Sequence, residues 1–351
     1  MSNSLLQWMV DQSLLRDLAA DQPAWLLLVV IVFSIFLLSQ GADWLVDGVV
    51  DLARRTGVSE IVIGATVVSL GNTLPEAFVS VMAAYMGNPG LALGNGVGSI
   101  ITDTGLIFGL TCVLAAVPVN RFILNRTGWV QVGSATLLVV IAVGMLYAAP
   151  EGSVPVLARW VGLLFLLLLL GYLYLTYRWA RQGGGRMLEE NDAEGVKKRG
   201  CARCWIMVAG GLMSIILGAR ILVPAVSELA LRFGVPEDVI AATLVAFGTS
   251  LPELMTAVSA VRKGHPEITL GNIVGADVLN TLFVIGAAAA AAPLAIPRNF
   301  YYFHFPVMLL VLYSFRVFIS FNRRLVFYRW QGVWLLSIYG IYVFMQYTIA
   351  F

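Results

Sequence analysis

The chain carries one acidic motif twice, and both copies lie inside long apolar segments. Residues 71–76 read GNTLPE, and residues 248–253, which follow at an offset of 177, read GTSLPE. A carboxylate at the centre of a bilayer costs roughly 2.5–3.5 kcal/mol on insertion scales, so an acid placed there is by default a functional residue. The duplicated glutamates, Glu76 and Glu253, are therefore the first candidates for a functional site.

The proline before each glutamate is expected to interrupt its helix. Proline has no backbone N–H, so the carbonyls of Gly71 and Gly248, four residues earlier, lose their usual helical partner. Open backbone at membrane depth is tolerated only where it is buried in protein or lines a wet cavity. The motif thus predicts a broken helix whose carbonyl and carboxylate oxygens face one cavity.

The composition identifies the class of protein. Hydrophobic residues make up 59% of the 351 positions and charged residues only 12%, whereas soluble domains carry about 25% charged residues. This balance predicts a polytopic membrane protein whose surroundings are the lipid bilayer. We expect inorganic cations as its partners, with no nucleic acid and no obligate protein partner.

Apolar segments of about 20 residues, the length that a bilayer requires, recur along the whole chain. They predict an all-α polytopic membrane protein with about ten transmembrane helices. The predicted helices lie near residues 24–50, 61–86, 91–117, 128–149, 155–178, 204–231, 238–262, 268–293, 300–320 and 330–350.

A polar stretch at residues 179–203 divides the chain into two halves of five helices. The predicted domains are a first five-helix repeat at 1–178, a linker at 179–203 and a second five-helix repeat at 204–351. Of the 22 Lys and Arg residues, 17 fall in loops on the side of this linker and four on the opposite side. The positive-inside rule then predicts a cytoplasmic linker and extracytoplasmic termini in the cell (inner) membrane.

The two halves are predicted to be inverted repeats, because five helices return the chain to the opposite side of the membrane. The α-repeats span about 61–117 and 238–293. Residues 64–76 and 241–253 share seven of thirteen identities, and residues 93–98 and 270–275 share five of six. Inverted repeats with interrupted helices in matching positions are typical of secondary transporters that bind their substrate near the midplane.

Several polar residues are placed to join the glutamates. Asn72 and Thr73 precede Glu76 by four and three residues, and Thr249 and Ser250 precede Glu253 in the same way, so each pair shares a helix face with its glutamate. The next helices bring Ser99, Asp103 and Asn280. Oxygen ligands of these kinds suit hard cations such as Ca²⁺ and Mg²⁺. The hydroxyl groups have an alternative role, which is to hydrogen-bond their own backbone.

These paired segments resemble the α-repeats of the cation/calcium exchanger superfamily, which includes the sodium/calcium exchangers. The resemblance implies two inverted five-helix repeats with a central diamond of ion sites on helices two, three, seven and eight. Glu76 and Glu253 would be the central ligands, with Ser69 in the same set. Helices one and six, around Gly41 and Gly218, would slide to expose the site alternately.

The chain departs from the usual family pattern in the second repeat. Ala276 stands where a serine is usual, and Asp277 stands where an asparagine is usual. Asp277 aligns with Ile100 of the first repeat, and that apolar counterpart suggests that its side chain points away from the cavity.

The sequence is therefore interpreted as a secondary active antiporter that exports a divalent cation in exchange for Na⁺, with Ca²⁺ as the preferred candidate. The alternatives are an H⁺-coupled exchanger of Ca²⁺ or Mg²⁺ and a passive cation channel. An intramembrane enzyme is disfavoured because His265 and His304 have no catalytic partner at useful spacing. No cofactor is predicted, and the lone C-x-x-C at Cys201 and Cys204 lacks the four ligands of a zinc site.

Overall fold

The computed structural model describes residues 18–56, 60–85, 87, 89–118, 121–150, 153–183, 200–233, 250–322 and 326–349. From Ala24 onward, these ranges form ten helical segments, which we number α1 to α10. Six of them are single helices or the described part of one: α1 Ala24–Thr56, α4 Arg121–Ala148, α5 Arg159–Gly183, α6 Cys201–Arg232, α7 Leu251–Arg262 and α10 Arg329–Ile349. The other four contain π-helical turns: α2 Glu60–Ile63, Gly64–Val68 and Ser69–Tyr85; α3 Pro89–Ile101, Thr102–Phe108 and Gly109–Leu114; α8 Pro266–Leu279, Asn280–Ile285 and Gly286–Ala291; and α9 Phe300–His304 and Phe305–Phe321.

Seven helices of the described chain are long and apolar enough to cross a membrane, or eight if the bent α2 counts as one span. The prediction of an all-α polytopic membrane protein is confirmed. Helix ends differ from the prediction where polar residues extend a helix past its apolar part. For example, α1 continues to Thr56 rather than 50, α5 continues to Gly183 rather than 178, and α6 begins at Cys201 rather than 204. Helical hydrogen bonds do not require apolar side chains, so apolar length alone underestimates these helices.

The predicted break in the first motif helix is present. In α2 the axis bends by 45° between Gly64–Leu74 and Val79–Tyr85, and Pro75 lies in the bend. In the second repeat Pro252 occupies the first turn of α7, while the predicted start of that helix, with Gly248 and Thr249, lies outside the described residues. The bend agrees with the missing N–H of proline.

Helices α3 and α8 share a second irregularity. Each contains a π-helical turn, at Thr102–Phe108 in α3 and Asn280–Ile285 in α8, and the two turns overlap when the repeats are superposed at an offset of 177. Turns of this type are rare and occur frequently at functional sites. Asp103 lies within the first turn and Asn280 begins the second.

Burial separates central helices from peripheral ones. In the most apolar stretch of each helix, 83% of the residues of α8 and 67% of those of α3 are buried, against 22% for α1 and 24% for α6. The third helices of the two repeats, α3 and α8, therefore pack at the centre of the molecule, and α1 and α6 form an outer layer. The polar motif residues of α2, α3, α7 and α8 meet in the interior.

Helices α1 and α6 pack closely and run antiparallel. A Cβ atom added to Gly41 would lie 2.9 Å from the carbonyl oxygen of Gly211, and one added to Gly218 would lie 3.1 Å from that of Ser34. These contacts are related by the repeat, because Gly41 aligns with Gly218 and Ser34 with Gly211. The two outer helices thus cross with a pseudo-twofold relation, as inverted repeats require.

Short extended segments close the ends of the bundle. Strand β1, Val156–Leu157, pairs antiparallel with β2, Leu294–Ala295, and Pro118 forms an isolated bridge with Val326. Each pairing joins a loop of one half to a loop of the other, so the two five-helix units hold each other at both ends.

Candidate cation site

The two glutamates are buried in the interior of the bundle. Glu76 is 1% exposed and Glu253 2%, and they lie close enough for their charges to interact. Within the described part of the chain, the Oε2 atom of each carboxylate has no hydrogen-bond donor. Two buried carboxylates with open oxygen atoms are stable only with a compensating charge or proton.

The bend in α2 is held by an asparagine of the next helix. Asn95 donates from Nδ2 to the carbonyl oxygen of Glu76 at 3.1 Å and to the Ser80 hydroxyl at 2.9 Å. This amide fixes α3 against the broken segment and thereby sets the position of Glu76. Asn95 was not among the predicted site residues, although it lies in the segment 93–98 that is repeated at 270–275.

Asp103 and Asn280 face each other across the repeat axis. The Nδ2 atom of Asn280 donates to Oδ2 of Asp103 at 3.4 Å, and the two residues are 177 positions apart. Their second oxygens, Asp103 Oδ1 and Asn280 Oδ1, have no donor among the described residues. Asp103 also lies within range of the charge of Glu253, so Asp103 borders the glutamates and brings Asn280 with it.

Asn72 and Thr73, which precede the first glutamate, make different hydrogen bonds. Asn72 donates from Nδ2 to Oδ1 of Asn272 at 3.4 Å, and its own Oδ1 has no donor within the described ranges. Thr73 instead donates its hydroxyl to the carbonyl of Ser69 at 2.7 Å, which is the alternative role expected for a membrane hydroxyl. The donated proton leaves the lone pairs of the Thr73 oxygen available.

The remaining predicted residues that the structure describes are also buried. Ser250 is 1% exposed and its Oγ has no partner in the described chain, while Ser99 is 5% exposed. Ser69 bonds weakly to the carbonyl of Thr66 at 3.4 Å. Its Oγ would lie 2.6 Å from a Cβ atom at Gly275, so the absence of a side chain at Gly275 lets α2 approach α8.

The site therefore offers a set of buried oxygens without donors, all from the central helices. They are Asn72 Oδ1, Glu76 Oε2, Asp103 Oδ1, Ser250 Oγ, Glu253 Oε2 and Asn280 Oδ1. No group of three His, Cys, Asp or Glu side chains in the described ranges is close enough to hold one metal ion. Carboxylates supplemented by amide and hydroxyl oxygens match the preference of hard cations, which take many oxygen ligands.

A bundle of apolar helices that buries such oxygens between two interrupted repeats defines a polytopic membrane transporter for inorganic cations. Comparison with known proteins gives the family. The family model described as sodium/calcium exchanger protein matches residues 26–178 and 204–348, and the chain belongs to this family. The superfamily resemblance is confirmed.

Individual relatives agree over nearly the full length. The chain is 29% identical to the sodium/calcium exchanger MaX1 of Methanosarcina acetivorans, over 91% of this chain and 98% of the relative. It is 33% identical to the inner membrane protein YrbG of Escherichia coli, over 80% and 85%. A solved structure of the sodium-calcium exchanger NCX_Mj matches with a TM-score of 0.75 at 28% identity, covering 91% of this chain and 98% of the other.

Membership of this family decides between classes of function. The proteins of the family are exchangers that transport cations, so the chain is a cation antiporter and not an enzyme. The histidines that an enzyme would have needed lie elsewhere: His304 Nδ1 is 3.1 Å from the Tyr342 hydroxyl, and His265 lies 3.6 Å from Glu267. Cys201 is exposed and Cys204 buried, and neither forms a disulfide.

Proposed function

We propose that the chain exports Ca²⁺ from the cytoplasm in exchange for Na⁺. The observation that carries the proposal is the pair Glu76 and Glu253, buried at matching positions of two inverted repeats, each with an open carboxylate oxygen. A divalent cation between them would supply the missing charge. The proposed ligands are those predicted from the sequence: Glu76, Glu253, Asp103, Asn280, Thr73, Asn72, Ser250, Thr249, Ser99, Ser69 and the carbonyls of Gly71 and Gly248.

The charge of the site supports exchange of these ions. Glu76, Glu253 and Asp103 contribute up to three negative charges when ionised. Three Na⁺ ions would balance this charge, and so would one Ca²⁺ together with one proton. An anion would be repelled from the same cluster.

Alternating access is the proposed transport step. Helices α1 and α6 form an outer layer and contact each other through small residues, and we infer that this pair slides across the central helices. Matched structures of NCX_Mj concern extracellular ion exchange and induced binding-site occlusion after soaking with Na⁺ and Sr²⁺ or with Na⁺ and Ca²⁺. The likeness supports the same ions and the same kind of step here.

The test is Ca²⁺ uptake into proteoliposomes under imposed gradients. We expect ⁴⁵Ca²⁺ uptake to follow an outward Na⁺ gradient and to stop when the gradient is dissipated. Uptake driven only by a pH gradient would replace Na⁺ with H⁺ as the counter-ion. Uptake that needs neither gradient and follows only the Ca²⁺ concentration would indicate a passive channel and contradict the proposal.

A further inference from the structure

Asp277 lies outside the group of open oxygens described above and has its own partners. It is 1% exposed, and its Oδ2 accepts hydrogen bonds from the Thr104 hydroxyl of α3 at 2.5 Å and from Nε2 of Gln131 of α4 at 2.6 Å. Its Oδ1 and the Oε1 of Gln131 have no partner within the described ranges. The side chain is thus held toward α3 and α4.

The pseudo-symmetric position in the first repeat shows that the fold does not require this polar group. At an offset of 177, Asp277 corresponds to Ile100 and Gln131 to Met308. Both of these counterparts are fully buried apolar residues. Burying an acid and an amide costs free energy that a buried apolar pair avoids. The presence of polar residues at both of these positions, but not at their pseudo-symmetric counterparts, therefore indicates a functional role.

The partners of Asp277 can satisfy either protonation state. A glutamine amide carries a donor at one end and an acceptor at the other, and a hydroxyl both donates and accepts. The ionised carboxylate accepts from Nε2 of Gln131, as in the structure. The protonated acid would donate its O–H to Oε1 of Gln131 after rotation of the amide, so the carboxyl group would stay hydrogen-bonded to Gln131 in either state.

The charged residues near Asp277 in the described chain are acids, and none of them is a cation that could pair with it. In the described chain no Lys, Arg or His side chain pairs with it. The helices packed against this part of α8 carry three acids and the uncharged Gln131. Of these acids, Asp103 lies close enough to interact with the charge of Asp277. The acids are Glu76 on α2, Asp103 on α3 and Glu253 on α7. Two open oxygens are too few for a Ca²⁺ ion, which takes 6–8 oxygen ligands, whereas a proton needs only one acceptor.

We propose that Asp277, Gln131 and Thr104 form a proton-binding site separate from the central cation site. The carboxyl group exchanges one proton with bulk water, and it remains hydrogen-bonded to Gln131 in both states. Proton binding at this site does not depend on the proposed Na⁺/Ca²⁺ exchange, whereas its effect on transport does.

Difference infrared spectroscopy of the purified protein tests the site without any transport assay. We expect a protonated-carboxyl band that appears as the pH is lowered and is absent in Asp277→Asn. Thr104→Val removes a donor to the ionised form, so the midpoint of the band should move by about one pH unit toward alkaline pH. Thr281→Val is the matched control, because Thr281 donates only to the backbone oxygen of residue 277, at 3.1 Å. The control should leave the midpoint in place.

Three results would overturn the site. They are a band that survives in Asp277→Asn, equal midpoints in Thr104→Val and wild type, and a band set by Na⁺ concentration at constant pH. If Asp277→Asn does not fold, Gln131→Met supplies the second test, since it introduces the residue of the other repeat and should also shift the midpoint. In proteoliposomes Asp277→Asn should flatten the pH profile of exchange. If wild type itself shows no exchange, that result counts against the proposed function but not against the proton-binding site.

Discussion

The buried acids of this exchanger are held in three different ways. Glu76 and Glu253 keep open oxygens, Asp103 accepts one long hydrogen bond from Asn280, and Asp277 accepts two short ones. An ionised group in a membrane interior is stable only when it is paired. The number of donors therefore predicts which carboxylates a transported cation completes and which the protein itself satisfies.

Exchanging Asp103 and Asn280 tests whether the central site depends on charge or on position. Asp103→Asn should reduce Ca²⁺-dependent exchange roughly 10- to 100-fold, the range of a hydrogen bond that involves a charged group. Asn280→Asp should also reduce it, because two carboxylates would then face each other at hydrogen-bonding distance. The double variant restores one acid and one amide and should recover most of the activity, as measured by initial rates of ⁴⁵Ca²⁺ uptake.

The double variant also decides the interpretation. Recovery in the double variant means that the pseudo-symmetric positions are equivalent and that the acid–amide pair is the functional unit. A double variant no more active than the poorer single one would show that each position has its own requirement, against the symmetric site inferred here.

At the scale of helices, the α1–α6 crossing depends on glycine. A Cβ atom on Gly211 would lie 2.7 Å from both the Gly41 carbonyl oxygen and the Leu45 nitrogen, which are backbone atoms that cannot rotate away. Gly211→Ala should therefore separate the helices and lower the free energy of unfolding by about 1–3 kcal/mol, the usual cost of overpacking. Thermal unfolding in detergent measures the loss.

The neighbouring glycine provides the control for this prediction. A Cβ atom on Gly210 would meet only the Trp44 ring, at 3.9 Å, so Gly210→Ala should be nearly neutral. Equal losses in the two variants would mean that alanine disturbs α6 itself rather than its contact with α1.

A second helix contact links the outer layer to the motif helix α7. Lys263 donates to a carboxylate oxygen of Asp47 at 2.6 Å and to the carbonyl oxygen of Asp43 at 2.8 Å, and Ser259 donates to Asp43 at 2.6 Å. These bonds hold α1 against α7 in the present conformation. If α1 slides, they must break, so their strength contributes to the balance between the two states.

Removing the lysine should loosen this contact. A partly exposed ion pair contributes up to about 1 kcal/mol, so Lys263→Met should speed the opening of α1 from α7 by up to about fivefold. The measurement is the rate of thiol labelling of Ala260→Cys, a position that is fully buried here. Arg262→Met is the control, since Arg262 is exposed, and equal rates in the two variants would rule out a link through Lys263.

At the scale of the whole molecule, the main features of the architecture could be predicted from the sequence. Apolar length predicted the helices, the offset of 177 predicted the repeats, and Pro75 predicted the bend in α2. These features follow from bilayer thickness and from backbone chemistry, which act locally along the chain. The ends of α1, α5 and α6 did not follow, because helical hydrogen bonding continues past the apolar stretch of each helix.

The partners of individual polar groups could not be predicted in the same way. Asn95 holds the backbone of Glu76 from 19 residues away, and Gln131 reaches Asp277 across 146 positions. Such pairings depend on how the helices pack and rotate against each other. A polar residue within an apolar run, as at Gln131, indicates that a buried partner exists but does not identify it.

The proposed orientation of the molecule is tested by labelling single cysteines. The excess of Lys and Arg on one side predicts that the central linker is cytoplasmic and that the N-terminus is extracytoplasmic. Cysteines introduced at Gly184 and at Gln12, in an otherwise cysteine-free chain, should react with membrane-impermeant reagents from opposite sides. Reaction of both from the same side would contradict the inverted topology.

Equilibrium binding of ⁴⁵Ca²⁺ to the purified protein tests most directly the claim that Glu76 and Glu253 together hold the divalent ion. Wild type should bind Ca²⁺ and release it as Na⁺ is added, and Glu76→Gln and Glu253→Gln should each lose measurable binding while keeping the wild-type elution profile. Glu228→Gln, which replaces the partner of Arg232 in an ion pair at the end of α6, should bind like wild type. Wild-type Ca²⁺ affinity in both Glu76→Gln and Glu253→Gln would place the ion elsewhere and contradict the account.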